Sequence, residues 1–320
     1  MAVWAGIDEA GYGPLLGPLV VAQTGFALPD RPGEGILWEL LDDAVGRQAR
    51  TADGRLLVDD SKSVYSGSRG LRKLEESPLS FLAVRGRMPA SAGELADELL
   101  PPQAAPTDGS PWFEGVGEIA LPLRSNVPAV SSKAAVLNQC MERSGIRFLG
   151  ASACLVLPRE YNQIVARTRN KSLLLWQKCG LLLQQAWRWS EQTQVFVLVD
   201  RHGGRKHYRK LLCDAFPGCS CDIKKETKAA SVYRLSRASR QMWVAFKENG
   251  DCRAFPTALA SMFAKYLREI YMIRFNSYWQ NRIPGLKPTA GYARDARRFL
   301  EDIEEELTDE ERDGGLVRGR

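Results

Sequence analysis

Apolar positions along this chain fall into runs of two kinds. Val3 to Ile7 and Leu15 to Ala22 are short, nearly continuous apolar stretches separated by a glycine-rich turn, and they predict a hairpin. Phe148 to Leu157 and Val195 to Val199 predict two further strands, the second apolar throughout and therefore a central strand buried on both faces. Helical spacing covers 36–48, 66–74, 134–143, 159–167 and 172–189, the last apolar enough to be largely buried. Residues 231–240 and 241–246 suit another hairpin. Small residues Ala258, Ala260 and Ser261 then let a helix lie close against a sheet, and a last helix follows Gly291-Tyr292. From about Val84 to Val130, prolines at 89, 101, 102, 106, 111, 122 and 128 interrupt any sustained period, so this stretch is expected to be an insertion.

The same pattern sets acids at strand ends. Asp8 and Glu9 close the first apolar run, and Asp200 closes the run from Val195. Neighbouring strand residues point to opposite faces, so one of Asp8 and Glu9 is expected above the sheet and the other to reach round the strand end. Carboxylates where a strand frays into glycines make poor core and good ligands for hard cations. A plain strand end is the bland reading of that pair. A dinucleotide loop fits less well, because Gly11, Gly13 and Gly17 are spaced one residue too widely and Pro14 lacks an N–H for a phosphate.

At 320 residues the chain holds one large domain or two small ones. It carries no run of membrane-spanning length and no basic-then-apolar leader, which predicts a cytoplasmic protein. Seven cysteines, odd in number and irregularly spaced, predict reduced thiols; a zinc site around Cys213, Cys219 and Cys221 is disfavoured by the lack of a C-x-x-C pair. The net charge of +6 is unevenly spread. Between Arg201 and Arg240 eleven Lys and Arg face only Asp214, Asp222 and Glu226, whereas 301–313 is strongly acidic. A basic block directly after a strand that ends in an acid suits phosphate contacts.

The opening Gly-Ile-Asp-Glu-Ala-Gly-Tyr-Gly-Pro-Leu-Leu-Gly-Pro resembles the first motif of the ribonuclease HII (type 2 ribonuclease H) family. Asp60-Ser61-Lys62 is similar to that family's second block. Asp200 stands where the family ends a strand in an acid, although Arg201-His202 replace the usual glycine that follows. Gly250-Asp251, followed by Ala260-Ser261-Met262-Phe263-Ala264-Lys265 and Glu269, resembles its last acidic block better than does the stretch around Glu226, which then reads as a surface residue. Tyr12 departs from the family, which carries arginine there.

The resemblance implies an α/β ribonuclease H-like fold, a mixed central sheet flanked by helices with a helical C-terminal region. Its expected divisions are a core over 1–275, carrying the 84–130 insertion and a basic insertion at 213–249, and a C-terminal helical segment with an acidic tail over 276–320. It also implies that Asp8, Glu9, Asp200 and Asp251 are both catalytic and metal-ligating, holding Mg²⁺ or Mn²⁺ in a two-metal site. Gly11, Tyr12, Gly13, Lys62, Lys265 and Tyr292 would contact nucleic acid, the tyrosine at 292 by stacking on a sugar. The implied partner is an RNA–DNA hybrid or a ribonucleotide-containing duplex, cut to leave 3′-hydroxyl and 5′-phosphate ends, with no membrane partner. Two alternatives are a non-catalytic nucleic-acid-binding homologue and a nuclease of the same fold acting on branched DNA.

Overall fold

A computed structural model of the chain describes all residues except 32, 34, 48–53, 67–69, 102–108, 192, 314 and 320, and the side chains at 310 and 313. The first half runs β1 (Ala2–Ala10), β2 (Leu19–Leu28), α1 (Ile36–Leu40), β3 (Val45–Gly46), β4 (Leu56–Leu57), α2 (Ser61–Val64), α3 (Gly70–Val84), α4 (Ala92–Leu99), α5 (Val127–Arg143) and β5 (Arg147–Val156). The second half runs α6 (Pro158–Thr168), α7 (Lys171–Trp189), β6 (Gln194–Asp200), α8 (Arg209–Ala215), β7 (Ser220–Glu226), β8 (Ala230–Arg237), β9 (Arg240–Lys247), α9 (Phe255–Arg282), α10 (Ala293–Asp302) and α11 (Asp309–Asp313). Seven strands form a mixed sheet in the order β5-β2-β1-β6-β9-β8-β7, while β3 and β4 make a small parallel pair.

The four strands that the apolar runs predict lie side by side at β5-β2-β1-β6. β1 pairs antiparallel with β2 and parallel with β6. Each face of this block carries its own core. Phe26, Phe81, Phe148 and Phe255 cluster edge to face on one side, where α9 packs, and α7 brings Leu175, Cys179, Leu182 and Leu183 to the other. Edge-to-face contacts suit the ring quadrupoles and add to the gain from burial.

Most of α9 is buried on every side, the behaviour of a helix at the centre of a domain rather than on its surface. Its first turn lies directly on β1. A Cβ at Gly6 would fall 2.1 Å from the Thr257 nitrogen and 2.3 Å from the Pro256 carbonyl carbon, so only glycine allows this approach. The Thr24 hydroxyl donates to Pro256 O at 2.7 Å and the Thr257 hydroxyl to Leu198 O at 3.2 Å, pinning the same turn to β2 and β6.

Two helix expectations change. The helix expected over 36–48 stops at Leu40, and Val45–Gly46 turns instead into a strand paired with Leu56–Leu57; Gln48 lies outside the described residues. The helix expected to begin at Ser66 begins, among the described residues, at Gly70. The boundary at 275/276 falls inside α9, which runs unbroken to Arg282. The basic region at 213–249 supplies β7, β8 and β9, and β9 continues the sheet parallel to β6. Its strands alternate buried and half-buried positions because only one face is packed, which spreads the charges along the other. Side chains of the 84–130 stretch join the core. Trp112, Phe113, Leu95 and Leu121 are buried, Phe113 meets Tyr271 edge to face, and the carboxylate of Glu75 accepts from the backbone of Leu123, Arg124 and Ser125. Pro106 and its neighbours at 102–108 lie outside the described residues.

The hairpin over β8 and β9 forms as the alternation predicts. All seven cysteines are free thiols. No helix among the described residues is long and apolar enough to cross a membrane.

Candidate metal centre

The parallel register of β1 and β6 decides where the acids meet. Ala2 is opposite Gln194 and Ile7 opposite Val199, so the next step sets Asp8 beside Asp200 at the carboxyl ends of both strands. Open sheets collect their ligands at such ends. Trp4 and Leu198 belong to the core on the α9 side, so their same-face successors Asp8 and Asp200 point that way. Val3, Ile7 and Val199 belong to the α7 side, and Glu9 follows them. Glu9 therefore reaches the others round the end of β1, where pairing with β6 has stopped. One oxygen from each of Asp8, Glu9 and Asp200 lies within 4.8 Å of the others, and no other group of three possible metal ligands occurs among the described residues.

Asp251 sits on the turn before α9. The Gly250 N–H donates to Asp200 Oδ1 at 2.8 Å, which brings this turn onto the strand end. Asp251 is close enough to repel the charges of Asp8 and Glu9, but its own carboxyl faces Asp60 and accepts from the Cys252 N–H at 2.8 Å. It lies at the rim of the three-acid cluster rather than within it. Asp60 is a fifth acid that sequence reasoning did not assign. It caps α2, accepting from the Lys62 N–H at 3.1 Å and the Ser63 hydroxyl at 3.1 Å. The Asp59-Asp60 pair ahead of Ser-Lys was the available signal.

These acids are electrostatically expensive. Burial raises the Asp8 pKa well above the usual carboxylate range, with repulsion from Glu9, Asp200 and Asp251 adding to it. Burial and the Asp200 charge bring Glu9 up to about 8, opposed by Lys62. Asp251 rises to about 6 through burial and the charges of Asp60 and Asp200, and Asp200 is raised mainly by burial. Desolvated carboxylates that repel one another fit a divalent cation, which supplies the missing charge and takes oxygen donors.

The sign of the pH dependence follows. Acids whose folded values are raised stabilise the fold while protonated, and that contribution fades as pH climbs through about 6 for Asp251 and about 8 for Glu9. A cation replaces those protons. We expect Mn²⁺ to raise the melting temperature little near about pH 5.5 and more above about pH 8, where fewer protons compete with it. At a hundredfold excess over Kd the gain is about 2.7 kcal/mol. Scanning calorimetry with and without Mn²⁺ at the two pH values checks this; a larger gain at the lower pH contradicts it.

The other residues singled out from sequence divide in two. Lys62, on α2, is exposed, and its ammonium is near enough to Glu9 and Asp200 to favour their charged forms. Ser61 and Ser261 share a 2.8 Å hydroxyl contact that fixes α2 on α9. Gly11 has φ +89°, and a Cβ there would lie 2.4 Å from Pro18 O; Gly13 is exposed with open space around it. Tyr12 turns its ring towards α6 and α7, with the Lys171 ammonium 5.1 Å from the ring centre and Glu9, Tyr161 and Arg205 as neighbours. Lys171 and Arg205, whose guanidinium donates to the Ser172 hydroxyl at 3.0 Å, are the basic residues of this wall. The sequence pattern singled out neither. Tyr292 is 46 % exposed and lies beside the turn, because Gly291 O accepts from Leu15 N at 2.8 Å.

Lys265 is engaged elsewhere. It is buried, donates to Glu269 Oε1 at 2.7 Å and lies 4.6 Å from the Tyr65 ring centre; the Tyr65 hydroxyl donates to the other Glu269 oxygen at 2.8 Å. This network ties the end of α2 to α9 and pairs the Lys265 ammonium with a carboxylate of its own helix. Glu269→Ala is expected to cost about 3 kcal/mol in urea unfolding, because it strands Lys265 and Arg268 in the interior. A loss within about 0.5 kcal/mol, the range of an ordinary surface change, contradicts the role.

After Asp200, Arg201 and His202 turn inward. Arg201 donates to Lys228 O at 2.6 Å and pairs with Glu248 at 3.1 Å. His202 packs among Trp176, Tyr208 and Phe246, and burial pushes its pKa down to about 3, so it stays neutral. Glu226, on β7, is held by the Tyr233 hydroxyl and by His207 at 2.8 Å.

No protein-family model matches the chain, and no curated protein matches it by sequence. Solved structures similar to it are ribonucleases H. In the structure of the PCNA:RNase HII complex from Archaeoglobus fulgidus, the matched chain is 15% identical over 99% of this chain and 94% of its own, with a TM-score of 0.43. For ribonuclease H2 from Pyrococcus horikoshii the identity is 16% over 99% and 92%, with a TM-score of 0.39. For RNase H3 from Aquifex aeolicus it is 13% over 98% and 71%, with a TM-score of 0.38.

Proposed function

We propose that this protein is a metal-dependent endonuclease of the ribonuclease H type 2 kind. In this reading it cuts the RNA strand or an embedded ribonucleotide of a hybrid duplex and leaves 3′-hydroxyl and 5′-phosphate ends. The observation that carries the reading is the convergence of Asp8, Glu9 and Asp200 within 4.8 Å at the strand ends, in a chain whose opening motif and Asp-Ser-Lys block resemble that family. Asp8, Glu9 and Asp200 would hold Mg²⁺ or Mn²⁺, with Asp251 and Asp60 at the rim. Such an ion supplies activation of water and neutralisation of the departing oxygen in phosphodiester hydrolysis.

The remaining roles belong to the chain. Lys62, Lys171 and Arg205 flank the acids with positive charge and would hold backbone phosphates without reading bases. The exposed backbone at Gly13 and the half-exposed ring of Tyr292 would meet the sugar that carries the 2′-hydroxyl, the one local group that separates RNA from DNA. A cluster of buried acids repels phosphates unless a cation intervenes, which weighs against a pure binder.

Incubation with Mg²⁺ or Mn²⁺ and duplexes bearing one ribonucleotide, an RNA run or a DNA junction tests the proposal. Cleavage on the 5′ side of the ribonucleotide or within the RNA run is expected. Binding without cutting, or cutting of the junction alone, would overturn it.

A further inference from the structure

The last described residues return to the site. Gly315 packs so tightly on Arg159 that a Cβ there would lie 2.9 Å from the Arg159 Cα. The Asn162 amide then brackets the arm, donating to Val317 O at 2.8 Å and accepting from Gly319 N at 2.7 Å. Between these contacts Arg318 enters the glycine-rich turn. Its N–H donates to Leu15 O at 2.9 Å, its Nη2 donates to Pro14 O, and its guanidinium carbon lies 4.8 Å from the Tyr161 ring centre.

Arg318 is only 2 % exposed, yet its Nε and Nη1 are buried without an acceptor. No ion pair joins it to a carboxylate among the described residues. Its charged neighbour is instead Arg268, fully buried and paired with Glu269 at 3.3 Å, whose own Nε lacks an acceptor and lies under Gly11. Arg268 reaches Ala290 O at 2.9 Å, so the two guanidiniums flank the turn from both sides. A guanidinium offers five donors in a rigid fork, and burying them unmet beside a like charge is unfavourable unless an anion completes the arrangement. Burial also pushes the Arg318 pKa down to about 10.

We infer that Arg318, delivered by the C-terminal arm, is a phosphate-binding residue of the substrate groove, with Arg268 behind it. The inference rests on the nuclease reading and adds a part of its substrate surface. The phosphate is a backbone phosphate of the bound duplex, lying across the open backbone at Gly13 next to Pro14. Tyr292, half exposed, with its ring centre 5.6 Å from the Arg268 guanidinium carbon, borders this path and is an electrostatic neighbour of Arg318. A fork matched to phosphate oxygens gives lysine a smaller effect at this position.

The test measures binding of a duplex carrying one ribonucleotide across a series of salt concentrations, in full-length Asp8→Asn protein so that nothing is cut. Each phosphate contact contributes about 0.9 to the slope of log K against log salt. Adding Arg318→Gln is expected to weaken binding about tenfold and to reduce that slope by about 0.9. Asn162→Ala, which loosens the arm and keeps its charge, is expected to reduce the slope in the same direction and carries the test should the arginine variant not fold. Weaker binding with an unchanged slope makes Arg318 a prop for the turn and overturns the assignment, as does unchanged binding. Failure of the Asp8→Asn protein itself to bind any duplex overturns the nuclease reading, a separate and distinguishable result.

Discussion

Asp8→Asn is expected to reduce cleavage at least about a thousandfold while making the metal-free protein more stable at pH 8. The two effects share one cause. Asp8 is buried, and desolvation together with three neighbouring acids disfavours its charge. Asparagine keeps the Oδ1 that accepts from Glu9 N–H at 2.7 Å and removes the charge that suffers the repulsion. The metal-free variant should therefore melt above wild type at pH 8. The gap should shrink as pH falls, because the raised Asp8 carboxyl takes up its proton and loses the charge that the variant lacks. Activity moves the opposite way. Loss of one of three converging ligands forfeits several kcal/mol of charge stabilisation at the phosphate, and each 1.4 kcal/mol or so is tenfold in rate. A variant with lower metal-free stability and full cleavage would contradict both halves.

Gly6→Ala is expected to be the most damaging small substitution in the sheet, costing about 3 kcal/mol or more in urea unfolding. The added methyl would meet backbone atoms of Thr257 and Pro256 at 2.1 and 2.3 Å, and backbone cannot rotate away as a side chain can. Relief requires α9 to lift from β1. That movement strains the Thr24 and Thr257 hydroxyl contacts and shifts the Gly250–Asp251 turn, whose N–H holds Asp200 at 2.8 Å. Cleavage should consequently fall even at temperatures where the variant remains folded. A stability change below about 0.5 kcal/mol, within the usual surface range, would mean that the helix does not sit where it is described.

How much of this was readable from sequence depends on the range of the cause. Strands ending in acids at Asp8 and Asp200 were readable because continuous apolar runs identify central strands without reference to partners. That Glu9 must come round the strand end followed from the alternation of side chains alone. The juxtaposition of Asp8 with Asp200 needed the parallel register, which no local pattern reports. The fate of Lys265 was hidden for a related reason. On a helix buried on all sides, spacing does not say which charge meets a carboxylate, and here Glu269 one turn away takes it. The 213–249 region looked like a basic insertion because half of each strand faces outward; its membership of the sheet rests on β9 pairing with β6 some 45 residues earlier in the chain. Arg318 offered least, since a lone arginine near a chain end has no periodicity and its partners, Pro14 and Leu15, lie about three hundred residues away.

The account stands on a cation held between Asp8, Glu9 and Asp200. Anomalous scattering from crystals grown with Mn²⁺ above about pH 8, the value to which Glu9 is raised, locates that ion without reference to activity. A peak within about 2.2 Å of an oxygen from each of the three carboxylates is the expected result. Manganese bound elsewhere with these acids unligated, or no peak at this pH, would contradict it.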